Sequence, residues 1–312
     1  ARERWAILGA RIPALGFRPA GSLTLARSAA EVAVLEEFAA AAPDRGLQAV
    51  LLDPAGVRAA NPALGGDALA GLLCRDDAVV EPRAAAPALL DLVAADGRAT
   101  VHRRTVAREV VATDAGVRIG VEAPAGPAAI DADVAIVCPG ADLDGPFAAE
   151  LSAAPLDRCQ LEMLETEPVP GAFTTALADG DSLRYYPGFS ELPAAADLPP
   201  AEPLVAEARV QLLVAPRLDG ALTVGDSHRY DEPFAYDLDE RVADHWLARL
   251  AALTGAPAPA VRRRWTGVYS RYHGAEPYLR LTPLPGVHVV TGLAGRGMTG
   301  SPGVALDTME LL

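Results

Sequence analysis

Two kinds of secondary-structure pattern alternate along this chain, and their order limits the fold more than any other feature. From the N terminus to about residue 145, short apolar strands alternate with helices, as in an α/β domain. The middle of the chain predicts polar strands joined by turns such as Asp219-Gly220, a pattern typical of an antiparallel sheet. Val287–Thr291 predicts another strand, which a glycine-rich loop and a helix starting near Ser301 follow. The sequence therefore predicts an α/β fold of the mixed α+β kind, in which an antiparallel domain interrupts an α/β domain.

This order predicts two domains, each assembled from separate stretches of chain. The first comprises residues 1–15, 62–145 and 284–312, and the second comprises residues 16–61 and 146–283. In the first domain the run from Val134 to Val137 is continuously apolar, as expected of a strand buried on both faces of a parallel sheet. Ligands bind at the carboxyl ends of such strands, so Pro139 and Gly140 mark a candidate binding site.

Local signals predict the individual elements. Ser28 and Glu31 form a capping box that opens a helix, and Pro82 suits the first turn of another. The strand patterns cover residues 21–26, 50–52, 68–73, 101–107, 117–121, 133–138, 159–166, 182–186, 208–214 and 221–225. Helical spacing of apolar residues is found at residues 1–14, 28–42, 82–94 and 239–254.

The charged residues exclude several classes of function. All 27 cationic residues are arginine, because the chain has no lysine, and they face 41 Asp and Glu residues, which gives a net charge of −14. A protein of this charge repels polyanions, so we expect no nucleic-acid partner. The lack of lysine excludes Schiff-base catalysis, pyridoxal anchoring and a Walker A phosphate lysine.

The cysteines and the hydropathy pattern argue against disulfides, a zinc cluster and a membrane-spanning helix. Cys74, Cys138 and Cys159 are too few and too scattered for a disulfide framework or a zinc cluster, and we expect three reduced thiols in a cytoplasmic protein. No apolar run reaches the roughly 20 residues that a membrane-spanning helix needs. The sequence predicts no metal site, and it leaves a homo-oligomer open.

The loop at residues 295–300 has the spacing GxGxxG and follows a strand, which is the usual sign of a dinucleotide-binding βαβ unit. Only 12 residues follow Gly300, so a unit of roughly 30 residues with its ribose-binding acid does not fit. Glycines at these positions still let the backbone approach a ligand closely, and the following helix offers N–H groups to a planar, oxygen-rich acceptor. A plain glycine-rich loop before a terminal helix is the alternative.

Three segments of the chain resemble one family. VVTGLAGRGMTGSPGVAL (residues 289–306), VAIVCPGA (134–141) and AVVEPRAAAPALLDLV (78–93) are similar to motifs of the FAD-dependent amine oxidoreductases related to D-amino-acid and glycine oxidases. The resemblance runs over nearly the whole chain, and it implies FAD as the cofactor. The cofactor-binding residues that it implies are Val106, Gly140, Ala141, Gly295, Arg296, Gly297, Met298 and Thr299.

Four further segments resemble the branch of that family associated with phosphonate catabolism. They are RCQLEMLET (158–166), LRYYPGF (183–189), TVGDSHRYD (223–231) and RRWTGVYSRY (263–272). The family opens with a βαβ unit that holds the adenosine end of FAD, and this chain shows no such unit. The resemblance therefore implies an FAD-binding domain that lacks its N-terminal βαβ unit, next to an antiparallel-sheet substrate domain.

The resemblance also implies a reaction. The substrate is a small amine that carries an anionic group, such as an aminophosphonate, a D-amino acid or a glycine derivative, and a hydride passes from the carbon bearing the amine to flavin N5. The resulting imine is hydrolysed, so the protein must mainly orient and desolvate the substrate rather than supply a strong base. Arginine suits the anionic group because its guanidinium donates two parallel hydrogen bonds. The candidate substrate-binding residues are Arg184, Tyr186, His228, Tyr269, Arg271 and Arg296.

Each candidate has a structural alternative. Arg184 and Arg229 also suit solvated strand edges, whereas the position of His228 favours function. His102 and His245 fit ordinary strand and helix positions, Trp265 fits a core position, and residues 262–264 fit a solvated charged face. For the whole chain, the second hypothesis is a truncated, flavin-free and inactive remnant, and the third is an NAD-dependent dehydrogenase.

Overall fold

The computed structural model describes residues 1–169, 171, 173–230 and 232–312. In chain order the strands are β1 (Ser22–Ala26), β2 (Ala49–Leu52), β3 (Ala70–Cys74), β4 (Val106–Thr113), β5 (Gly116–Ala123), β6 (Gly126–Ala132), β7 (Ala135–Val137), β8 (Leu156–Thr166), β9 (Ala176–Ala178), β10 (Leu213–Pro216), β11 (Leu222–Gly225), β12 (Val261–Tyr272), β13 (Leu279–Leu284) and β14 (Val287–Thr291).

The helices alternate with these strands. They are α1 (Arg2–Arg11), α2 (Ala29–Ala41), α3 (Pro54–Ala60), α4 (Pro82–Ala95), α5 (Ala148–Ala153), α6 (Ser182–Tyr185), α7 (Pro187–Ser190), α8 (Pro203–Ala208), α9 (Glu240–Thr254) and α10 (Gly297–Met309). The predicted mixed α/β class is confirmed, and so are the helix opened by Pro82 and the capping box, in which the side chains of Ser28 and Glu31 each accept a backbone N–H.

Eight strands form the largest sheet, in the order β12-β8-β11-β10-β9-β1-β3-β2. All neighbours in it are antiparallel except β1 and β9, which run parallel. The predicted strands at 159–166 and 221–225 are confirmed as β8 and β11. Helix α9 packs on one face of the sheet, where Trp246 and Leu250 are buried among leucines and valines of the central strands.

Two smaller sheets stand beside the large one. The strands β13, β14 and β7 form the first, with β14 and β7 parallel, and β4, β5 and β6 form an antiparallel meander. The predicted domain boundaries at residues 62 and 283 each cut a sheet, because β3 pairs with β1 and β2, and β13 pairs with β14.

The prediction that the strand at 134–137 is buried on both faces was wrong. Within the described part of the chain, β7 pairs only with β14 and forms an edge of its sheet. As a result the side chain of Ile136 is 41% exposed and that of Val134 is 39% exposed.

The prediction of a strand at 182–186 was also wrong. These residues form the single helical turn α6, and Pro187 then begins α7. The turn starts where the carboxylate of Asp179 accepts the N–H of Asp181, and it buries Leu183 fully against α2. The carboxylates of Asp179 and Asp181, which lie against Arg249 of α9, hold this turn in place of a strand, and Arg184 and Tyr186 do not share a strand face.

Three elements begin at residues other than those predicted. The strand predicted at 208–214 begins only at Leu213, because Pro203 opens α8 and Arg209 ends it in a left-handed conformation. The strand predicted at 101–107 begins at Val106, and the last helix begins at Gly297 rather than near Ser301, since Pro302 is accommodated in its first turns.

Candidate active site

A mainly apolar cavity of about 550 Å³ opens at the carboxyl ends of β7 and β14. One wall is β12 and the other is helix α10, so the cavity lies where the large sheet meets the small sheet of β13, β14 and β7. Such strand ends are the usual ligand-binding position of α/β sheets. The lining residues include Cys138, Gly140, Ala141, Tyr269, Ser270, Thr291, Gly292, Ala294, Gly297 and Ser301.

The carbonyl oxygen of Gly140 joins the three strands that border this cavity. It accepts hydrogen bonds from Ser270 Oγ on β12, at 2.7 Å, and from Thr291 Oγ1 on β14, at 2.8 Å. Ser270 Oγ also accepts the backbone N–H of Gly292 at 3.1 Å. The turn after β7 is thereby fixed to both sheets.

Removing both hydroxyls, in Ser270→Ala combined with Thr291→Val, should lower the free energy of unfolding by about 1–3 kcal/mol. The reason is that the buried hydroxyls of Ser270 and Thr291 are hydrogen-bond partners of the Gly140 carbonyl and of the Gly292 N–H, which lose these bonds. Urea denaturation measures the change, with Thr282→Val on the exposed side of β13 as the control. An unchanged midpoint would show that these hydroxyls are dispensable.

Two glycines leave room beside the cavity. A Cβ atom built on Gly140 or on Gly297 would meet no atom within 4 Å, and Gly140 adopts a left-handed φ of 64°. Helix α10 begins at Gly297 without a side-chain cap, so its first N–H groups are free to face a ligand.

The other predicted cofactor-binding residues occupy different positions. Gly295, Arg296, Met298 and Thr299 belong to the same loop and first helical turn as Gly297, and the Trp5 indole N–H donates to the carbonyl of Met298 at 3.0 Å. Val106 begins β4 in the meander, where its side chain is exposed, and it does not line this cavity. These assignments stay predictions.

Four aromatic residues gather on the other side of Tyr269, and we call them together with it the aromatic cluster: Tyr185, Tyr186, His228, Tyr230 and Tyr269. The ring of Tyr185 stacks on the His228 imidazole with centroids 4.2 Å apart and meets Tyr186 edge-on at 5.2 Å. The hydroxyls of Tyr185 and Tyr230 lie 3.2 Å apart. The structure therefore brings together three of the predicted substrate-binding residues, Tyr186, His228 and Tyr269.

The aromatic cluster adjoins the glycine-rich loop. A Cβ on Gly295 would contact the Tyr269 ring at 3.7 Å, and Arg271 forms a backbone bridge with Leu293 just before that loop. The cavity and the cluster therefore share Tyr269 as a common wall.

Burial keeps the cluster hydroxyls protonated. Loss of water raises the pKa of Tyr186 to about 12, with the negative charge of Asp226 adding to the shift. Burial likewise raises the pKa values of Tyr185 and Tyr269 well above the ordinary tyrosine value, and neighbouring side chains add to this rise. The hydroxyls are thus neutral hydrogen-bond donors throughout the physiological pH range.

The predicted arginines take different positions. The Arg271 guanidinium lies 4.0 Å above the Tyr230 ring, and its Nη2 is 2.5 Å from Asp157 Oδ2, so Arg271 borders the aromatic cluster but is already paired. Arg184 donates to the carbonyls of Gly180 and Pro199, which are outside the cluster. Arg296 is exposed at the start of α10 and makes no ion pair with any described residue.

Other predicted residues have structural partners. Trp265 is half-buried beneath the Arg83 guanidinium, at 4.7 Å, and His245 lies 3.3 Å from Asp181. The arginines at 262–264 pair with carboxylates of β8 and of neighbouring loops rather than facing solvent alone. Asp231, which closes one of the resembling segments, lies outside the described residues.

The sequence of the chain matches the family model described as DAO, FAD dependent oxidoreductase, over residues 1–311. The chain belongs to the DAO family. No curated protein matched the sequence. The predicted enzyme class, an FAD-dependent oxidoreductase, is thus confirmed, and a nicotinamide-dependent dehydrogenase is not supported.

Solved structures with the same fold include amine and amino-acid oxidoreductases. Glycine oxidase from Geobacillus kaustophilus has a TM-score of 0.73 at 16% identity, over 99% of this chain and 77% of its own. L-proline dehydrogenase from P. horikoshii has a TM-score of 0.68 at 17% identity, over 97% of this chain and 74% of its own. Iminodiacetate oxidase from Chelativorans sp. BNC1 has a TM-score of 0.65 at 18% identity, over 96% of this chain and 76% of its own.

The cavity of this DAO-family protein fits part of its FAD cofactor. Its apolar walls suit a flat ring system, and the open positions at Gly140 and Gly297 let backbone atoms approach it. The described residues contain no group of three or more His, Cys, Asp or Glu side chains that could hold a metal ion. Among the described helices, none has both the length and the hydropathy needed to cross a membrane.

Sequence reasoning missed several members of this site. Tyr230 and Asp226 are in the same segment as His228, and Cys159 lies opposite Tyr269 in the β8–β12 pairing. The register of two long antiparallel strands is the signal that could have placed Cys159 beside Tyr269. No local pattern indicates Arg209, whose guanidinium lies 4.9 Å above the Tyr230 ring.

Proposed function

We propose that this DAO-family protein oxidises a small amine that carries an anionic group: an aminophosphonate, a D-amino acid or a glycine derivative. The observation that carries the proposal is the shared wall at Tyr269, which sets the apolar cavity directly against a largely half-buried group of aromatic hydroxyls and arginines. Relatives of known structure include oxidases of glycine and of iminodiacetate, both of which are amines with carboxylate groups.

In this proposal the chain's own residues orient the substrate. FAD, when bound, accepts the hydride from the carbon that bears the amine. The hydroxyls of Tyr186 and Tyr269 donate to the anionic group, and the cluster excludes water from the reacting carbon. Arg271 and Arg296 add positive charge, and Arg184 is the weakest of the proposed substrate-binding residues because carbonyl groups hold its guanidinium.

We also propose that a βαβ unit from outside residues 1–312 completes the FAD site. Support comes from β7, whose outer edge has no strand partner within the described ranges and whose Ile136 is exposed. An unpaired apolar edge strand is costly in water and prone to pairing. The proposed two-domain division places β7 and β14 in the FAD-binding domain and, apart from β3, the strands of the large sheet in the substrate domain.

Two finer assignments are part of the same proposal. Membership of the phosphonate-associated branch rests on the four resembling segments, three of which contribute to the aromatic cluster or its borders. A cytoplasmic location rests on the three cysteines, all of which are free thiols. A flavin-free remnant without activity is the alternative to the whole proposal.

A visible absorption spectrum tests the proposal. The purified chain with added FAD should be compared with a form extended upstream by a βαβ unit, and the extended form should retain a flavin spectrum after gel filtration. Gly297→Leu in the extended form should weaken FAD binding at least about tenfold, since the new side chain enters the open space at the cavity.

The outcomes separate the alternatives. Reduction of the flavin by N-methylglycine or 2-aminoethylphosphonate under anaerobic conditions would support the amine oxidoreductase and identify the anionic group. No bound flavin in either form would leave the inactive remnant as the better description. Gly120→Leu is the matched control for the glycine substitution, because Gly120 lies in the meander, has no left-handed φ, and a Cβ there meets no atom closer than 3.6 Å.

A further inference from the structure

Asp226 is a buried carboxylate beside the aromatic cluster that the proposed reaction has not used. It follows β11 directly, and its side chain is 18% exposed. Its only side-chain contacts among the described residues are with Gln211, whose Nε2 donates to Oδ1 at 3.4 Å, and with His228, whose Nε2 is 3.6 Å from Oδ2. Its charge also acts on Tyr185, Tyr186 and Cys159.

Other buried carboxylates of the protein are compensated. Asp181 pairs with Arg249 at 3.3 Å, and Glu165 lies 3.2 Å from Arg263. Glu162 accepts the backbone N–H of Asp239 at 3.1 Å. Within the described ranges Asp226 has neither an arginine within 4.0 Å nor a backbone donor from another residue. A buried carboxylate without such partners is unfavourable unless it serves a ligand.

His228 borders Asp226 but does not hydrogen-bond to its carboxylate. Its Nδ1 is 3.0 Å from the carbonyl oxygen of Arg209, and a carbonyl can only accept, so Nδ1 carries the hydrogen. Nε2 is therefore the ring nitrogen that faces Asp226 Oδ2, and at 3.6 Å the two atoms lie beyond ordinary hydrogen-bond distance. Gln211 Oε1, fully buried nearby, also has no hydrogen-bond partner among the described residues.

The surroundings of these acceptors are aromatic. Tyr185 stacks on His228, and Tyr186 lies edge-on to Tyr185. A carboxylate flanked by aromatic rings is the usual environment for an alkylammonium group, which combines a charge, hydrogen-bond donors and apolar substituents. A carboxylate that has no arginine within 4.0 Å among the described residues and lies beside these rings therefore indicates a ligand that is both a cation and a donor.

We propose that Asp226, with Nε2 of His228 beside it, binds the positively charged amino group of the substrate. This inference rests on the proposed function and specifies which end of the substrate faces which residues. The anionic end then points toward Arg271 and Arg209, whose guanidinium groups lie 4.0 Å and 4.9 Å from the centre of the Tyr230 ring. The site thereby selects substrates that carry both charges.

Binding of two small probes tests this orientation. N-methylglycine carries an ammonium and a carboxylate, whereas propionate carries only the carboxylate, and each is titrated calorimetrically into the protein with and without FAD. In Asp226→Asn the dissociation constant of N-methylglycine should rise by about tenfold or more, because one charge-assisted hydrogen bond is lost, while that of propionate stays within about twofold. Glu162→Gln, another buried carboxylate of the same sheet, should change neither.

The pH dependence of the unaltered protein gives a test that needs no variant. Burial raises the pKa of Asp226, and the nearby His228 partly opposes this rise. Affinity for N-methylglycine should therefore fall as the pH drops through that raised pKa, because protonated Asp226 no longer attracts a cation. Propionate binding should show no such loss over the range in which propionate stays ionised.

Equal affinity of Asp226→Asn and the unaltered protein for N-methylglycine would overturn the inference, as would an equal loss of both probes. In either case flavin reduction by an amine would still support the proposed function. A protein that binds no flavin and neither probe would instead overturn both. Asp226→Glu, which keeps the charge, should recover affinity that Asp226→Asn loses.

Discussion

Replacing Arg249 by methionine should lower the free energy of unfolding by about 3–5 kcal/mol at neutral pH. Arg249 projects from α9 toward two buried carboxylates, with Nη2 3.3 Å from Asp181 Oδ2 and Nε 3.7 Å from Asp179 Oδ2. Methionine keeps the apolar part of the side chain but leaves both carboxylates without their main cation. The cost is that of uncompensated buried charge rather than of lost packing.

Urea denaturation of Arg249→Met and of Arg241→Met separates these contributions. Arg241 is on the same helix and pairs with Asp239 and Glu207, but its side chain is 64% exposed, so its loss should cost less than about 1 kcal/mol. The loop that Arg249 holds leads directly into α6 and Tyr185. Equal stability of the two variants would mean that water already compensates Asp179 and Asp181.

The stability of the protein should fall as the pH rises from about 4 to about 7, and Asp179→Asn should remove most of that dependence. Burial, with the neighbouring charge of Asp181, raises the pKa of Asp179 from its ordinary value of 3.8 to about 7, although Arg249 opposes the rise. In this range the folded protein holds a proton that the unfolded chain has released, so raising the pH favours the unfolded state.

Other charged groups of this region also affect the pH dependence of stability. His245, Glu202 and Glu31 also face Arg249 or Asp181, so four carboxylates share one arginine and one histidine. The amide introduced by Asp179→Asn keeps an oxygen that accepts the N–H groups of Asp181 and Leu212, and we expect this variant to be the more stable protein at alkaline pH. Urea midpoints measured across the pH range decide this; parallel curves for the two proteins would contradict it.

Local chemistry made much of the fold predictable. The capping box at Ser28 and the proline at the start of α4 act within one helical turn, and Val287–Thr291 is predicted as a strand because its own residues favour one. The strand assigned to 182–186 failed because the carboxylates that shape α6 are buried against α9, more than 60 residues away. A short window contains no information about such a partner.

The candidate site was predictable in part for the same reason. Tyr269 and His228 were found through resemblance to the family, and the glycine-rich loop through its composition. Asp226 acquires its significance only from what is missing around it, namely an arginine or a backbone donor within reach in the described structure. The sequence shows which charged residues are present, but it does not show which of their charges lack a partner after folding.

The carbonyl of Gly140 has a consequence for protein engineering. Because one oxygen atom receives hydroxyls from β12 and from β14, the strand that carries Tyr269 and the strand that precedes the glycine-rich loop cannot be exchanged independently. A chimera that grafts β12 from another family member to alter substrate preference should also import its partner for this carbonyl. Otherwise the graft would change the position of the turn after β7 as well as the side chains that β12 presents to the cavity.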